Sequence, residues 1–426
     1  MEIKKIENEA LKEAYYSVKH PSGLQIYVMP KENYSSAFAV FGTNYGSIDT
    51  GFKRSDENDF ATIPEGTAHF LEHKLFESEE LDAFERYAKT GASANAYTSF
   101  DQTCYLFSCS ANFKENLEIL IDFVQHPYFT QETVEKEQGI IGQEIRMYQD
   151  VPNWQVMFNL LRAMYSNHPV RIDIAGTIES IAEINADMLY RCYNTFYNLN
   201  NMALAVAGNV TVDEVIEVAD RMLKKAENVT IERIDHKEPK EVAMDYIEEK
   251  LAVATPQFML GFKETNKEPV VSLKQRLETA VMLDIIAGRT SALYNDMFKK
   301  GLINSEFGTE YFNGNGYAAI LFSGETNHYK EVAELIKKEI KKFKAEGIKE
   351  EEFELVRRKT YGRSIMAFND VDTLANSLVA SHFLKSGLFD DIEILGRMTV
   401  EDVNNRLKNT LDENYSSLSV ILPQDK

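Results

Sequence analysis

A faint repeat of about two hundred residues runs through this chain. Residues 178–207 and residues 392–421 carry the same order of features: a short acidic lead, a stretch with helical spacing, and an asparagine-containing turn into an apolar strand. The strands fall at Met202–Ala207 and Leu418–Leu422. The beginnings of the two halves also correspond, because Ala37–Gly42 and Gln257–Phe262 both read as buried strands. A period this long predicts two similar domains, not a solenoid, whose repeats run to ~20–50 residues. The length of 426 residues points the same way, since single cores stop growing well short of it. Between the halves, residues 225–243 are charged, poor in apolar side chains and interrupted by a proline, as linkers are. The expected division is a first domain over 1–226, a linker over 227–243 and a second domain over 244–426.

Within each half, strands alternate with long helical stretches. Leu24–Met29 alternates after a Pro-Ser-Gly turn and predicts a hairpin strand. Lys114–Phe123, Glu132–Tyr148 and Val332–Phe343 carry apolar residues at helical spacing. In the second of these, Val134, Ile141, Ile145 and Tyr148 share a face. The predicted class is α+β: two homologous domains, each a mostly antiparallel sheet with helices packed on one face.

Composition excludes several functions. The net charge is −21 and nothing concentrates lysine and arginine, so no nucleic acid is expected as a partner. No stretch approaches the ~18 apolar residues of a membrane span, and the polar N-terminal residues lack the apolar core of a secretory signal. Three cysteines, Cys104, Cys109 and Cys192, form no disulfide framework and suit a reducing compartment. The expected location is the cytoplasm, with no membrane partner. His20, His126, His168, His236, His328 and His382 are scattered and receive no role.

The chemistry concentrates in Gly66–Phe76, which contains His69-Phe70-Leu71-Glu72-His73. On a helix His69 and His73 lie one turn apart and present both imidazoles on one face, where they can share a metal ion. Glu72 projects beside them as a candidate general base. His-x-x-Glu-His is the inverted form of the zinc-peptidase motif. A catalytic zinc takes three protein ligands and keeps one position for water, so a third ligand must come from elsewhere. Glu135, Glu137 and Glu144 all lie in one helical stretch, the last two separated by two turns and sharing a face. Helical geometry does not choose among them.

Taken together, these motifs resemble the M16 family of zinc metallopeptidases (inverzincins), which includes insulysin and mitochondrial processing peptidase. The likeness extends over essentially the whole chain and its duplication, and is nearest to the small bacterial subunits. The resemblance implies that Glu144 is the third zinc ligand, that Glu137 supports the site from outside it, and that one Zn2+ is held per chain. It also implies that Asn95, Ala96, Tyr97 and Thr98, in the strand-like stretch Asn95–Tyr105, form an edge strand on which a peptide substrate is laid. The activity it implies is endopeptidase cleavage of short or unfolded peptides.

One part of the family pattern is missing. Self-sufficient members carry an arginine and a tyrosine in the second domain, as Arg-x-x-x-Gly-Leu-x-Tyr. Placed on Gly301-Leu302, those positions hold Met297 and Asn304. The resemblance then implies a heterodimer in which a related M16-type subunit supplies the pair. The alternatives are a self-sufficient homodimer drawing on Arg289, Tyr294 or Tyr311, and a non-catalytic subunit that keeps its metal.

Overall fold

In the computed structural model, residues 1–79, 81–225, 229–264 and 270–424 are described. They form two compact units. The first gathers Met1–Ile145, Asp173–Asp235 and Ile365–Phe389; the second gathers Arg146–Ile172, His236–Ser364 and Asp390–Lys426.

The first unit is built on strands β1 (Glu2–Asn8), β2 (Glu13–Lys19), β3 (Gln25–Pro30) and β4 (Ala37–Thr43). Two short strands follow, β5 (Gly51–Arg54) and β6 (Ala61–Thr62), and then β7 (Ser93–Thr98), β8 (Thr103–Cys109), β9 (Met202–Gly208) and β10 (Ile231–Arg233). Seven of these make one sheet in the order β1-β2-β3-β9-β4-β8-β7, while β10-β5-β6 form a small separate sheet. All pairings in the large sheet are antiparallel except β3 with β9. The second unit holds β11 (Tyr246–Leu251), β12 (Gln257–Lys263), β13 (Gly308–Gly314), β14 (Tyr317–Glu325) and β15 (Ser416–Pro423), ordered β11-β15-β12-β14-β13. Here only β11 with β15 is parallel. The order β3-β9-β4-β8-β7 is thus repeated strand for strand, as the duplicated sequence predicts.

The helices that matter for the site lie in the first half of the chain: α1 (Thr67–Leu75), α2 (Ala83–Thr90), α3 (Phe113–Gln125), α4 (Gln131–Gln149) and α5 (Pro152–Met164). The main core of the first unit places Phe70, Leu71 and Leu75 of α1 and Leu117, Leu120 and Ile121 of α3 against Ile26, Val28, Phe41, Tyr105 and Phe107 of the sheet. This is the helical layer expected on one face. The other face of each sheet carries a single further helix. Residues Val371–Phe383 pack on β9 and β4 in the first unit, and α5 packs on β15 and β12 in the second. Both approaches are close. A Cβ on Gly42 would stand 2.6 Å from a Val379 methyl, and one on Gly261 would stand 2.6 Å from the Met164 sulfur. Strands β4 and β9 are consequently buried along their whole length.

Each half of the sequence therefore lends one helix to the sheet built by the other half. The compact units differ in this respect from the contiguous division at 1–226 and 244–426. The expected linker 227–243 also contains structure. Residues 227 and 228 lie outside the described residues, but β10 pairs with β5, and Glu238 is held in the second unit by Lys263. Among the described residues, no helix is long and apolar enough to cross a membrane.

Candidate metal centre

Helix α1 starts without a side-chain cap, and Gly66 at its N-terminus has φ +86°. A Cβ there would lie 2.4 Å from the carbonyl oxygen of Ala175. Only glycine lets the chain turn this tightly into the helix, since the conformation and the close approach both exclude a side chain. Thr67 Oγ1 donates to the Pro64 carbonyl at 2.6 Å, and the Ser180 hydroxyl donates to that of Glu65 at 2.9 Å. The helix start is thereby clamped. Its buried side carries Ala68, Phe70, Leu71 and Leu75 into the core. The opposite side presents His69, Glu72 and His73, all half-buried.

Helix α4 brings its glutamates to this face. His69 Nε2 is 3.8 Å from one Glu144 oxygen, and His73 Nε2 is 3.5 Å from the other. The two imidazoles meet edge to face with centroids 4.6 Å apart. One nitrogen of each histidine and one oxygen of Glu144 lie within 4.8 Å of one another, which is the group that could hold a metal ion. Ligands about 2.0–2.2 Å from a zinc stand about 3.3–3.6 Å apart in a tetrahedron, close to these separations. Glu137 faces elsewhere: its carboxylate takes a 2.9 Å bond with Nδ1 of His73, the nitrogen turned away from Glu144. This is the partner that fixes the tautomer and ring angle of a metal-binding histidine. The structure thus separates two glutamates that the helical period leaves equivalent, and Glu135 is not in the cluster.

The electrostatics fit a site awaiting a cation. Burial, and then the neighbouring His73, lower the pKa of His69 to about 3, so its imidazole is neutral and free to coordinate. Its Nδ1 is buried without a hydrogen-bond partner among the described residues, and Nε2, the nitrogen nearest Glu144, is the one placed to coordinate. Burial also opposes charge on His73, but the bond to Glu137 and the nearby Glu72 and Glu144 outweigh it and raise its pKa. Glu144 is raised by burial, with Asp173 and Glu137 adding to the effect. Two imidazoles and one carboxylate, with a fourth position of a tetrahedron left over, are the donor set of a catalytic zinc site.

Glu72 stands beside this cluster. Burial raises its pKa, and the hydroxyl of Thr98, which donates to it at 2.7 Å, opposes the rise. Thr98 ends β7, an edge of the seven-stranded sheet. The Ala96 N–H is taken by the Asn95 side chain at 2.9 Å, so it points off the sheet. By the two-residue period, the backbone groups of Ala94, Ala96 and Thr98 face outward, and those of Asn95 and Tyr97 face β8. The Tyr97 hydroxyl donates to Asn376 at 2.9 Å. All four residues expected on an edge strand are there. Sequence reasoning missed the bond from Thr98 to Glu72, the clamp at Gly66, and Asp173. Pro64-Glu65-Gly66 directly before the motif was a signal for the clamp; Asp173 sits outside any helix or strand and gave none.

In the second unit, Met297 and Asn304 stand at the two positions counted from Gly301-Leu302. Met297 is 1% exposed within the hydrophobic core. The exposed neighbour is Phe298, stacked on Tyr294 with centroids 5.9 Å apart. Asn304 is exposed and accepts from the Glu306 amide. Tyr294 is buried, and Tyr311 is committed to Glu264 and Gln275. Arg289 is exposed and donates to the Ser305 carbonyl.

Residues 55–178 match the family model described as Insulinase (Peptidase family M16), and residues 183–360 match that described as Peptidase M16 inactive domain. The chain is 41% identical over 427 residues to the uncharacterized zinc protease YmfH of Bacillus subtilis, covering 99% of this chain and 100% of that one. It is 34% identical over 180 residues to mitochondrial-processing peptidase subunit beta of Bos taurus, covering 40% of this chain and 35% of that one. A crystal structure of an M16-like peptidase from Alicyclobacillus acidocaldarius superposes with a TM-score of 0.93 at 36% identity, covering 100% of this chain and 99% of the other.

Proposed function

Because the chain belongs to the M16 peptidase family, we propose that it is a zinc-dependent endopeptidase that cleaves short or unfolded peptides, with His69, His73 and Glu144 as ligands and Glu72 as general base. The observation that carries this reading is the convergence of those three donors beside a buried carboxylate. Two nitrogens and one oxygen suit zinc among the common divalent metals. When bound, a zinc ion would supply Lewis acidity, bringing the pKa of a water down toward about 7 and polarising the scissile carbonyl.

The remaining steps belong to the chain. Glu72 takes a proton from the attacking water and returns it to the nitrogen of the departing amine. Its burial supports this role, since a raised pKa makes it a better acceptor. The Thr98 hydroxyl holds the carboxylate in place. The outward backbone groups of Ala94 and Thr98, and the Ala96 carbonyl, pair with an extended substrate, which becomes an added strand of the sheet. Backbone pairing asks little of side chains and suits a broad range of peptides. Glu137 keeps His73 turned toward the metal.

We further propose that the active form is a heterodimer with a related M16-type subunit that contributes the missing arginine and tyrosine. Support comes from Met297, whose side chain carries no charge and no hydrogen-bond donor, and from Asn304, whose side chain is too short for a tyrosine's reach. The Bos taurus relative is itself named as a subunit. The proposed compartment is the cytoplasm, consistent with three buried, unpaired cysteines. The test is hydrolysis of a mixed peptide library by the purified chain, alone and with a related chain lacking His-x-x-Glu-His. Cleavage that requires the second chain is expected. Robust cleavage by the lone chain would overturn the heterodimer, and none under either condition, with zinc bound, would overturn the enzyme.

A further inference from the structure

The second unit contains a cleft of about 460 Å³ at the start of β13. Its lining includes Asp284, Arg289, Glu306, Thr309, Lys359 and Arg363. Lys359 bonds both oxygens of Asp284, at 2.9 and 2.6 Å, so that pair is neutralised. The other two cations are not. Arg363 is exposed and has no hydrogen bond or ion pair among the described residues, and Arg289 donates to one backbone carbonyl at 3.3 Å. Glu306 is the one remaining carboxylate in that lining. In a chain of net charge −21, two guanidinium groups without carboxylate partners at one cleft are a local reversal of sign. Guanidinium forks match carboxylates bidentately.

Strand β13 gives the cleft a direction. It is the edge of its sheet, pairing with β14 alone among the described residues. Asn313 Nδ2 donates to the Tyr311 carbonyl at 2.8 Å, so that carbonyl points off the sheet. The same two-residue alternation turns the backbone of Thr309 outward, beside the cleft. Nothing lies within 4 Å of the position a Cβ on Gly308 would take, so the strand begins in the open. The strand runs from Gly308 to Gly314. A peptide added antiparallel to it would end where β13 begins.

We infer that this cleft binds the C-terminal carboxylate of an extended peptide laid antiparallel on β13, with Arg289 and Arg363 as its ligands. An antiparallel peptide brings its terminal carboxylate to the start of β13, and of that strand the cleft is lined only by Gly308 and Thr309, its first two residues. The inference rests on the proposed reading of peptides as substrates, but its test needs no turnover.

The full chain carrying Glu72→Gln, so that peptide is not consumed, would be titrated with a fluorescent extended peptide as the free acid and as the C-terminal amide. Amidation should weaken binding roughly tenfold, the value of a charge-assisted hydrogen bond. Combining Arg289→Gln with Arg363→Gln should bring the acid down to the affinity of the amide and leave the amide unchanged. Both side chains are exposed, and circular dichroism checks the fold. Equal binding of acid and amide overturns the inference, as does a preference that survives the double substitution. An amide ending in glutamate that binds as tightly as the free acid would overturn the assignment to the terminal carboxylate. Hydrolysis by the unsubstituted chain, alone and with the related partner chain, is measured separately, so a working peptidase without acid preference refutes the cleft alone, and acid preference without hydrolysis under either condition refutes the peptidase alone.

Discussion

The same frame is used twice in this molecule, with opposite side-chain chemistry. In the first unit, α1 and the edge strand β7 carry His69, Glu72, His73 and Thr98. In the second, the corresponding elements are the helix Leu273–Ala287 and the edge strand β13, and they carry Thr279 and Tyr311. There Arg406 bonds both oxygens of Glu264, at 2.7 and 2.6 Å, and Thr279 at 2.7 Å; Tyr311 adds a further bond to Glu264 at 2.8 Å. Every charge in that second network has its partner inside it. The first site is under-satisfied: His69 Nδ1 has no partner among the described residues, and burial raises both Glu72 and Glu144. Folding alone has no use for such an arrangement, because unpaired buried polar groups cost stability. The paired cluster is what the frame does when it only has to fold. The under-satisfied one is the cluster proposed to hold a cation and a substrate.

The contrast can be broken from either side. The largest effect belongs to the proposed metal ligands: His73→Ala or Glu144→Ala should lose bound zinc, and hydrolysis with it, as read by metal analysis of the dialysed protein. In the second unit, Arg406→Ala would leave Glu264 buried and uncompensated, at a cost of about 3–5 kcal/mol seen as lost thermal stability. Metal content of the folded fraction should not change.

His168 sharpens the second unit's side. It is buried, its Nδ1 accepts from the Val170 amide, and its Nε2 bonds the Asn315 carbonyl. Burial, then His236, lowers its pKa to about 4. The folded state therefore holds this ring neutral while the unfolded chain protonates it near pH ~6.5. Stability from this group is complete above that pH and is lost as pH falls toward 4, by up to about 3 kcal/mol. Urea melts between pH 7 and 4 should show this loss, and His168→Gln should remove it.

Two smaller effects return to the first unit. Glu137→Gln weakens its bond to His73 and should reduce zinc affinity about 10–100-fold, measured by chelator competition. Thr98→Val removes the bond that opposes the raised pKa of Glu72. The base is then protonated up to a higher pH, so the acid limb of the rate profile should move upward, with a loss of about tenfold or less at neutral pH.

How much of this was legible in the sequence follows from how local each signal is. His69 and His73 were readable because one helical turn fixes their relation. The repeated strands were readable because alternation and apolar runs are local. The choice between Glu137 and Glu144 was not, since both lie on one face of α4 and only the opposing helix distinguishes them; the resemblance decided it. The exchange of α5 and Val371–Phe383 between the units was equally hidden. An amphipathic pattern says that a helix will be covered on one side and not which sheet will cover it.

The central claim is that Glu72 acts as base at a site whose metal is held by other residues. Zinc content and peptide hydrolysis of the unsubstituted protein and of Glu72→Gln, with any partner chain held constant, test it most directly. The account predicts equal, stoichiometric zinc in both and a loss of hydrolysis of at least about 10²–10⁴-fold in the variant. Full hydrolysis by zinc-loaded Glu72→Gln would contradict it.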